Sequence, residues 1–130
     1  LEQALALLWR QGVSTVLWYG IADDPPGPAE SATFEAGGLY YRDGRPKPAA
    51  TAYRFPFVLS RASPSTVLIW VRAPASGRLV IERLTGHGWR ESIGQPVRAG
   101  QILVRHVASA TPATMRARVG RALSLPFTQR

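Results

Sequence analysis

Four acidic side chains that could supply acid–base chemistry lie close together in the sequence: Asp23, Asp24, Glu30 and Glu35. Hydrolysis by a carboxylate pair needs two groups held about 5 to 9.5 Å apart. Neighbours such as Asp23 and Asp24 diverge in an extended chain, because successive side chains point to opposite faces. Glu30 and Glu35 lie in a stretch rich in Pro and Gly. We therefore expect no catalytic residues within this chain.

Metal and nucleophile chemistry has even less support. The two histidines, His87 and His106, are far apart in sequence and have no carboxylate motif beside them, and the chain has no cysteine. A zinc site needs three or four such ligands. The sequence also lacks a nucleophile elbow and a phosphate-binding glycine loop. We expect no metal and no other cofactor.

A helix and a strand precede the acidic stretch. Residues 1–11 carry apolar side chains at helical spacing, and Gly12 follows as a stop signal. The run Ser14–Tyr19 is β-branched and aromatic, which is typical of a strand buried on both faces in a parallel sheet. Such a strand needs a neighbour on each side, and residues 1–57 supply none. Something outside this segment must complete its sheet.

A long loop and a second helix follow. The stretch IADDPPGPAESATFEAGG, residues 21–38, contains too much Pro and Gly for regular structure. Pro46 and Pro48 suit the first turn of a helix, which we expect to run to Phe55. The sequence Phe55-Pro56-Phe57 then leaves no flexible linker. We expect these residues and Val58 to dock the next unit rigidly.

From residue 58 the pattern changes to short β-rich runs separated by turn residues. Six runs are predicted strands: residues 65–72, 78–84, 89–97, 101–107, 114–120 and 122–127. Their spacing favours an antiparallel sandwich of the immunoglobulin or fibronectin type. In the fifth run, alternation buries Met115, Ala117 and Val119 and places Arg116 and Arg118 on the solvent face.

Charge divides the chain at the same point. Residues 1–57 hold five basic and six acidic side chains, a net of −1, whereas residues 58–130 hold eleven and two, a net of +9. An Arg-rich face attracts polyanions such as nucleic acid, anionic polysaccharide or phospholipid. An ordinary solvated face explains the same composition. No apolar run approaches the roughly 20 residues that span a bilayer.

The first unit resembles the end of the (β/α)8 barrel, or TIM barrel, of the clan A glycoside hydrolases, the cellulase and xylosidase-like group. The matching stretches are VLWYG at residues 16–20 and GGLYYRDGRPKPAATAYRF at residues 37–55. By this resemblance residues 1–11 correspond to helix 7 of the barrel, residues 14–19 to strand 8 and residues 46–55 to helix 8. The implied fold class is an α+β fragment: the last β/α elements of a TIM barrel, residues 1–57, followed by an all-β immunoglobulin/fibronectin-like sandwich, residues 58–130.

The resemblance also implies substrate-binding residues. A Trp at the end of strand 8 forms the floor of a sugar subsite in such barrels, and the matching residue is Trp18. By alternation either Trp18 or Tyr19 points inward, and packing between barrel and helices is the other role open to Trp18. Asp23 and Asp24 lie in the loop that would rim the site, although Asp-Asp-Pro-Pro is also a simple turn. The catalytic carboxylates of the family belong to strands 4 and 7, upstream of Leu1.

Taken together, these features favour the C-terminal portion of a secreted or cell-surface glycoside hydrolase-like protein. Its partners would be the remainder of a (β/α)8 barrel, in the same or another chain, and a polysaccharide or glycoside substrate. The alternative is a non-catalytic cell-surface or carbohydrate-binding module whose Arg-rich face holds anionic polymers. Nucleic-acid binding is the least favoured function, because no recognised module motif is present.

Overall fold

A computed structural model describes residues 1–24, 37–109 and 111–129 of the chain. Within these residues two short helices precede a set of β-strands. The helices are α1 (Glu2–Arg10) and α2 (Pro48–Arg54). The strands are β1 (Phe57–Ser63), β2 (Thr66–Arg72), β3 (Gly77–Thr85), β4 (Gly88–Val97), β5 (Ile102–Ala108), β6 (Ala113–Val119), β7 (Ala122–Leu123) and β8 (Phe127–Gln129).

The strands form two antiparallel sheets that share one core. One sheet has the order β1-β2-β5, and the other has the order β4-β3-β6-β7 with β8 also paired to β6. The largest fully buried side chains come from both sheets, and they include Phe57, Ile69, Ile81 and Met115. The prediction of an antiparallel sandwich-like part is therefore confirmed. The alternation predicted for β6 is also observed, with Met115, Ala117 and Val119 buried.

Two strand predictions differ from the structure. β1 is absent from the six predicted runs, yet it is a full strand paired with β2 from Phe57 onward. The aromatic-Pro-aromatic sequence does not have the pattern of a strand, yet Phe57, the first residue of β1, is buried in the core. The predicted run 122–127 is split into β7 and β8. Ser124 interrupts it by receiving the backbone N–H of Ala117 on its hydroxyl oxygen at 2.8 Å.

Helix α1 lies on the outer face of the β1-β2-β5 sheet. Ala6 is its buried residue, and it packs in a cluster with Val58 and Trp70. The ring centroids of Trp9 and Trp70 are 6.1 Å apart. The helix itself is confirmed, and it presents a small residue to the sheet so that the two elements approach closely.

The predicted strand Ser14–Tyr19 forms no ladder with any described residue. The segment is held instead by single contacts, such as the Tyr53 hydroxyl that donates to the carbonyl of Val16 at 2.8 Å. The physical reason is the one anticipated: a two-sided strand needs neighbours, and the described residues offer none. The barrel portion of the predicted fold therefore stays a prediction. Helix α2 begins at Pro48 rather than Pro46, because Pro46 forms a bridge with Tyr40.

Most of the predicted loop at residues 21–38, with Glu30 and Glu35, lies outside the described residues. Phe55, Phe57 and Val58, which were expected to dock the second unit, are all buried. Neither α1 nor α2, the helices of the described part, has the length and apolar character needed to cross a membrane.

Glu2 has an unusual environment at the start of α1. Burial raises the pKa of its carboxyl to about 7, against the opposing effects of the Phe57 backbone N–H and the chain's terminal amine. One carboxylate oxygen, Oε1, is buried without a hydrogen-bond partner in the described part of the chain. The folded protein therefore holds a proton on Glu2 at pH values where the unfolded chain has already released it.

Replacing Ile81 by Ala should destabilise the protein far more than the same change at Leu84 on the same strand. Ile81 is 0% exposed in the core, whereas Leu84 is 46% exposed. We expect a loss of about 2–5 kcal/mol for Ile81→Ala, from lost contacts and a residual cavity, and less than about 1 kcal/mol for Leu84→Ala. Urea unfolding monitored by circular dichroism measures both. Equal losses would contradict the shared core.

The pH dependence of stability should reflect Glu2. Because its pKa is raised from 4.5 to about 7 on folding, the folded state binds more protons in that interval, and stability falls as the pH rises through it. Glu2→Gln should remove this slope and raise the free energy of unfolding at pH 8 by about 1–2 kcal/mol, a figure reduced because the group is partly exposed. Urea unfolding at pH 4.5, 6 and 8 tests this. A parallel pH profile in the variant would show that Glu2 is not the responsible group.

Candidate functional site

An open cleft of about 610 Å³ is lined by two aromatic residues, Trp18 and Tyr19, and by Asp24. The remaining lining residues are small: Gly20, Ala22, Gly37 and Gly38. Small residues on the walls leave the aromatic side chains and one carboxylate as the chemically distinctive groups. Such a lining suits a ligand with an apolar face and hydroxyl groups.

Trp18 is fixed in place by two contacts. Its indole Nε1–H donates to the carbonyl of Gly37 at 3.0 Å. The edge of its ring meets the ring of Tyr53 at a centroid distance of 6.1 Å. The side chain nevertheless remains 38% exposed. A ring that is both oriented and accessible can stack on a ligand without a large ordering cost.

Tyr19 differs from its neighbour in every one of these respects. It is 90% exposed, and its phenol forms no hydrogen bond with a described residue. Both rings border the cleft, so alternation along the chain does not hide either one. The Trp18 ring is therefore held in one orientation by its contacts, whereas the Tyr19 ring has no such contact with the described residues.

Asp23 does not line the cleft, but its hydrogen bonds connect the chain segments that form the cleft wall. Its Oδ1 accepts a hydrogen bond from the Lys47 ammonium at 2.5 Å and another from the backbone N–H of Gly38 at 3.1 Å. The Asp23 backbone N–H also donates to the carbonyl of Tyr40 at 3.0 Å. The hydrogen bond from Lys47 outweighs burial and holds the pKa of the Asp23 carboxyl below its usual value. These contacts give Asp23 a structural task.

Gly38 is required at this point by close packing. A Cβ atom there would lie 2.3 Å from the backbone carbon of Ala22, well inside contact distance. Only glycine therefore allows the strand-like segments at residues 21–23 and 38–40 to meet, where Ala22 and Tyr40 form a parallel bridge.

Asp24 is the acid that lines the cleft. Its backbone carbonyl receives the Arg42 guanidinium, while its side chain is exposed. Among the residues that the structure describes, it is the one acidic residue lining this cleft. A single carboxylate can bind a hydroxyl group or a cation, but it cannot supply both members of the carboxylate pair that glycoside hydrolysis requires.

Sequence reasoning missed the residues that support Trp18 and Asp23. Gly37, Tyr53 and Lys47 contribute through contacts that span 19 to 37 positions. No local sequence pattern predicts contacts between residues so far apart in the chain. The one available signal was the Pro-Lys-Pro sequence, which places Lys47 immediately before α2.

The two acids of the second unit are both paired with arginines. Glu82 accepts Arg116 at 2.7 Å and Arg118 at 3.1 Å. Burial opposes ionisation of Glu82, but the two arginines outweigh it and hold the pKa of that carboxyl below its usual value. Glu91 pairs with both terminal nitrogens of Arg78. Three cations of this face are thus bound to two acids.

Trp89 belongs to the same arrangement. The Arg116 guanidinium lies over its ring, with the central carbon 4.2 Å from the ring centroid. One face of Trp89 is therefore covered within the protein. Among the described residues there is no group of three or more side chains able to hold a metal ion.

No protein family, curated protein or solved structure matches this chain. The chemistry of the site is consequently argued from its own residues. An oriented Trp ring, a free Tyr ring and one exposed carboxylate around an open cleft form a binding surface. They do not form a hydrolytic pair.

Asp23→Asn should lower the melting temperature, whereas Asp24→Asn should leave it nearly unchanged. The first change removes the ion pair to Lys47, and the second alters an exposed side chain. Because the pKa of Asp23 is lowered on folding, its contribution is present above the unfolded pKa and is lost as the pH falls through the folded one. Differential scanning calorimetry at pH 7 and pH 3 measures this. A difference between the variants that persists unchanged at pH 3 would contradict the assignment.

Proposed function

We propose that this chain is the C-terminal portion of a glycoside hydrolase-like protein. In this proposal residues 1–57 complete a (β/α)8 barrel, Trp18 forms the platform of a sugar subsite, and the β-sandwich supports the barrel. The catalytic carboxylates come from the part of the barrel outside this chain. The protein is secreted or displayed at the cell surface, where polysaccharide substrates are found.

The observation that carries the proposal is the Trp18 ring, oriented by Gly37 and Tyr53 and exposed at an open cleft. The C–H face of a sugar packs well on an aromatic ring, and its hydroxyl groups need acceptors such as Asp24 nearby. Both features are within one cleft. They support a sugar subsite better than a purely structural Trp, which would be buried.

Exposed apolar side chains near the cleft support the missing partner. Leu17, Tyr19 and Ile21 are among the most exposed large hydrophobic residues of the described chain. Three large apolar side chains that are exposed so close together in the sequence are typical of a surface that meets another polypeptide. In this proposal the remainder of a barrel is the partner that residues 14–19 fit best, because their β-branched and aromatic composition is typical of a strand paired on both sides.

The strand order supports the role of the second unit. Lettered in chain order, with β4 as C′, the sheets are A-B-E and C′-C-F-G. The immunoglobulin-type sandwich also places A, B and E in one sheet and C, F and G in the other. In this proposal the sandwich packs rigidly against the barrel and stabilises it.

The alternative is a binding module that holds anionic polymers on its Arg-rich face. The ion pairs of Arg78, Arg116 and Arg118 with Glu82 and Glu91 weaken it, since a polyanion would have to displace existing partners. The burial of Trp70 and the covering of Trp89 likewise remove the aromatic plane that such a module would use.

Trp18→Ala in the protein with its complete barrel should weaken sugar binding about 5- to 30-fold. This range corresponds to about 1–2 kcal/mol for burying part of an aromatic face. Calorimetric titration with cellohexaose, xylohexaose and mannohexaose measures the affinity, and thermal unfolding measures stability. We expect the melting temperature to change little.

Leu17→Ala is the matched control, because Leu17 does not line the cleft and in this proposal packs against the rest of the barrel, so the change removes packing near the site without removing a ligand contact. It should leave the affinity unchanged. If Trp18→Ala instead costs about 3–5 kcal/mol of stability with unchanged affinity, Trp18 is a packing residue and the proposal fails. Binding that is equally weakened in both variants would also contradict it.

A further inference from the structure

Strand β5 is a free edge of the sandwich. It ends the sheet β1-β2-β5, and among the described residues it pairs with β2 alone. Native proteins usually protect an edge strand with a bulge, a proline or a covering element, because its unpaired backbone groups can pair with another chain. The edge strand β1 has a register shift between Arg61 and Ser63 and lies against β8, and the edge strand β4 has a register shift and Pro96. β5 has none of these devices, since its register with β2 is continuous and it contains no proline.

The register of β5 shows which of its backbone groups face the free edge. At one end of the ladder with β2, the backbone N–H of Ala73 donates to the carbonyl of Gln101 at 2.9 Å. At the other end, the backbone N–H of Ser109 donates to the carbonyl of Ser65 at 2.8 Å. Hydrogen-bonded pairs alternate with non-hydrogen-bonded pairs in an antiparallel ladder. The odd-numbered residues of β5 therefore bond to β2, and the even-numbered residues direct their N–H and C=O groups away from it.

The outward-facing residues of the strand include Ile102, Val104 and His106. No described strand lies beside them on that side. Their backbone groups form no hydrogen bond with any other described residue. Val104 is 39% exposed and His106 is also exposed, so the edge is accessible along its centre. An extended segment can therefore pair with this edge of β5 as β2 pairs with the other.

The side chains along this edge indicate the composition of a partner strand. Val104 lies on the outer face of the sheet, where it lines an open groove of about 470 Å³ together with Leu68 and Trp70. Arg105 lies on the opposite face, and its guanidinium donates to the neutral amide of Gln95 at 3.1 Å without forming an ion pair with a described residue. Successive side chains of a strand alternate between the two faces of a sheet. A segment of alternating apolar and acidic residues would therefore extend the groove on one face and offer a carboxylate to Arg105 on the other.

The charge of the chain favours a partner of different composition over a second copy. The chain has a net charge of +8, and the two acids of residues 58–130, Glu82 and Glu91, are already paired with arginines. Pairing two copies of β5 would bring Arg105 and His106 of both copies to one edge, and β5 has no acid to compensate them. Like charges on paired strands are destabilising, whereas opposite charges stabilise the pairing.

We infer that β5 is a strand-addition site for a separate, acidic polypeptide. An extended segment of that polypeptide pairs with Ile102–Ala108 and becomes the fourth strand of the sheet β1-β2-β5. The backbone of the segment supplies the hydrogen bonds, its apolar side chains contact Val104, and its carboxylates pair with Arg105. No residue of β5 lines the Trp18 cleft, and the inference does not rest on the proposed function.

The test combines hydrogen exchange and NMR titration of the ¹⁵N-labelled chain. In the free chain, the amides of Val104 and His106 should exchange rapidly and that of Arg105 slowly, because only the last is bonded within the sheet. The probe is the N-acetylated, C-amidated peptide Thr-Val-Glu-Val-Glu-Val-Thr. It should shift the β5 resonances saturably, with a dissociation constant on the order of 1 mM, and protect the amides of Val104 and His106. Slow exchange of those two amides in the free chain shows an edge that is already covered and overturns the site, as does the absence of a saturable shift.

Val104→Pro is the blocking variant, because it removes an outward N–H that the ladder with β2 does not use. It should abolish binding of the peptide and leave the dispersed amide spectrum of the sandwich intact. Val104→Thr is the matched control, since it keeps the N–H and the β-branched shape, and it should retain binding. His106→Pro repeats the test at a second outward position. Binding retained in a folded proline variant overturns the proposal, and so does unfolding of both variants, which would show that these N–H groups are used within the protein.

Arg105→Gln tests the charge of the partner, and Arg121→Gln is its matched control, because both remove the charge of an exposed arginine. The first should weaken binding of the peptide about two- to fivefold, as expected for an exposed ion pair, and the second should have no effect. Equal weakening in both variants, or equal binding of the peptide with Lys in place of Glu, overturns the acidic partner. Sedimentation equilibrium of the free chain tests the other occupant: dimers that Val104→Pro abolishes would identify a second copy and overturn the proposal.

Discussion

The structure depends on covering both faces of β2. Its residues Val67, Ile69 and Val71 fill the core between the sheets, while Trp70 on the opposite face meets α1. A central strand of a three-stranded sheet would otherwise expose an apolar face to water, at a cost of about 25 cal/mol for each Å². Helix α1 therefore has to return to the sandwich, and the first unit is attached to the second through this contact.

That attachment fixes the candidate site at a distance. Once α1 and Phe55 are docked, α2 lies where Tyr53 can hold the carbonyl of Val16 and contact the Trp18 ring. Lys47, the residue before α2, then reaches Asp23. The cleft wall is thus positioned by one short helix, and the orientation of Trp18 is a consequence of sandwich packing rather than of local sequence.

Local patterns predicted the elements that depend on local forces. The strand runs of the sandwich alternate clearly, and the alternation in β6 gave the correct inward and outward residues. The helix α1 follows from its spacing and its Gly12 stop. Tertiary contacts decided the rest: β1 is absent from the predicted runs, and Ser14–Tyr19 has no paired strand among the described residues, so that strand stays a prediction. At the candidate site the aromatic residues were identifiable by type, but the supports of Trp18 and the tie between Asp23 and Lys47 were not.

The charge of the second unit is another property that its composition alone describes incompletely. The second unit carries a large formal positive charge, which from composition alone suggested a polyanion surface. In the fold, the two acids pair with three arginines of the β3-β4-β6 face, because Glu82 lies between two arginines of one neighbouring strand and Glu91 faces Arg78 on another. The unit has eleven basic side chains and two acids, so these pairs leave its net charge of +9 unchanged. Composition therefore predicts the sign of the charge, and the fold shows which arginines are held by internal pairs.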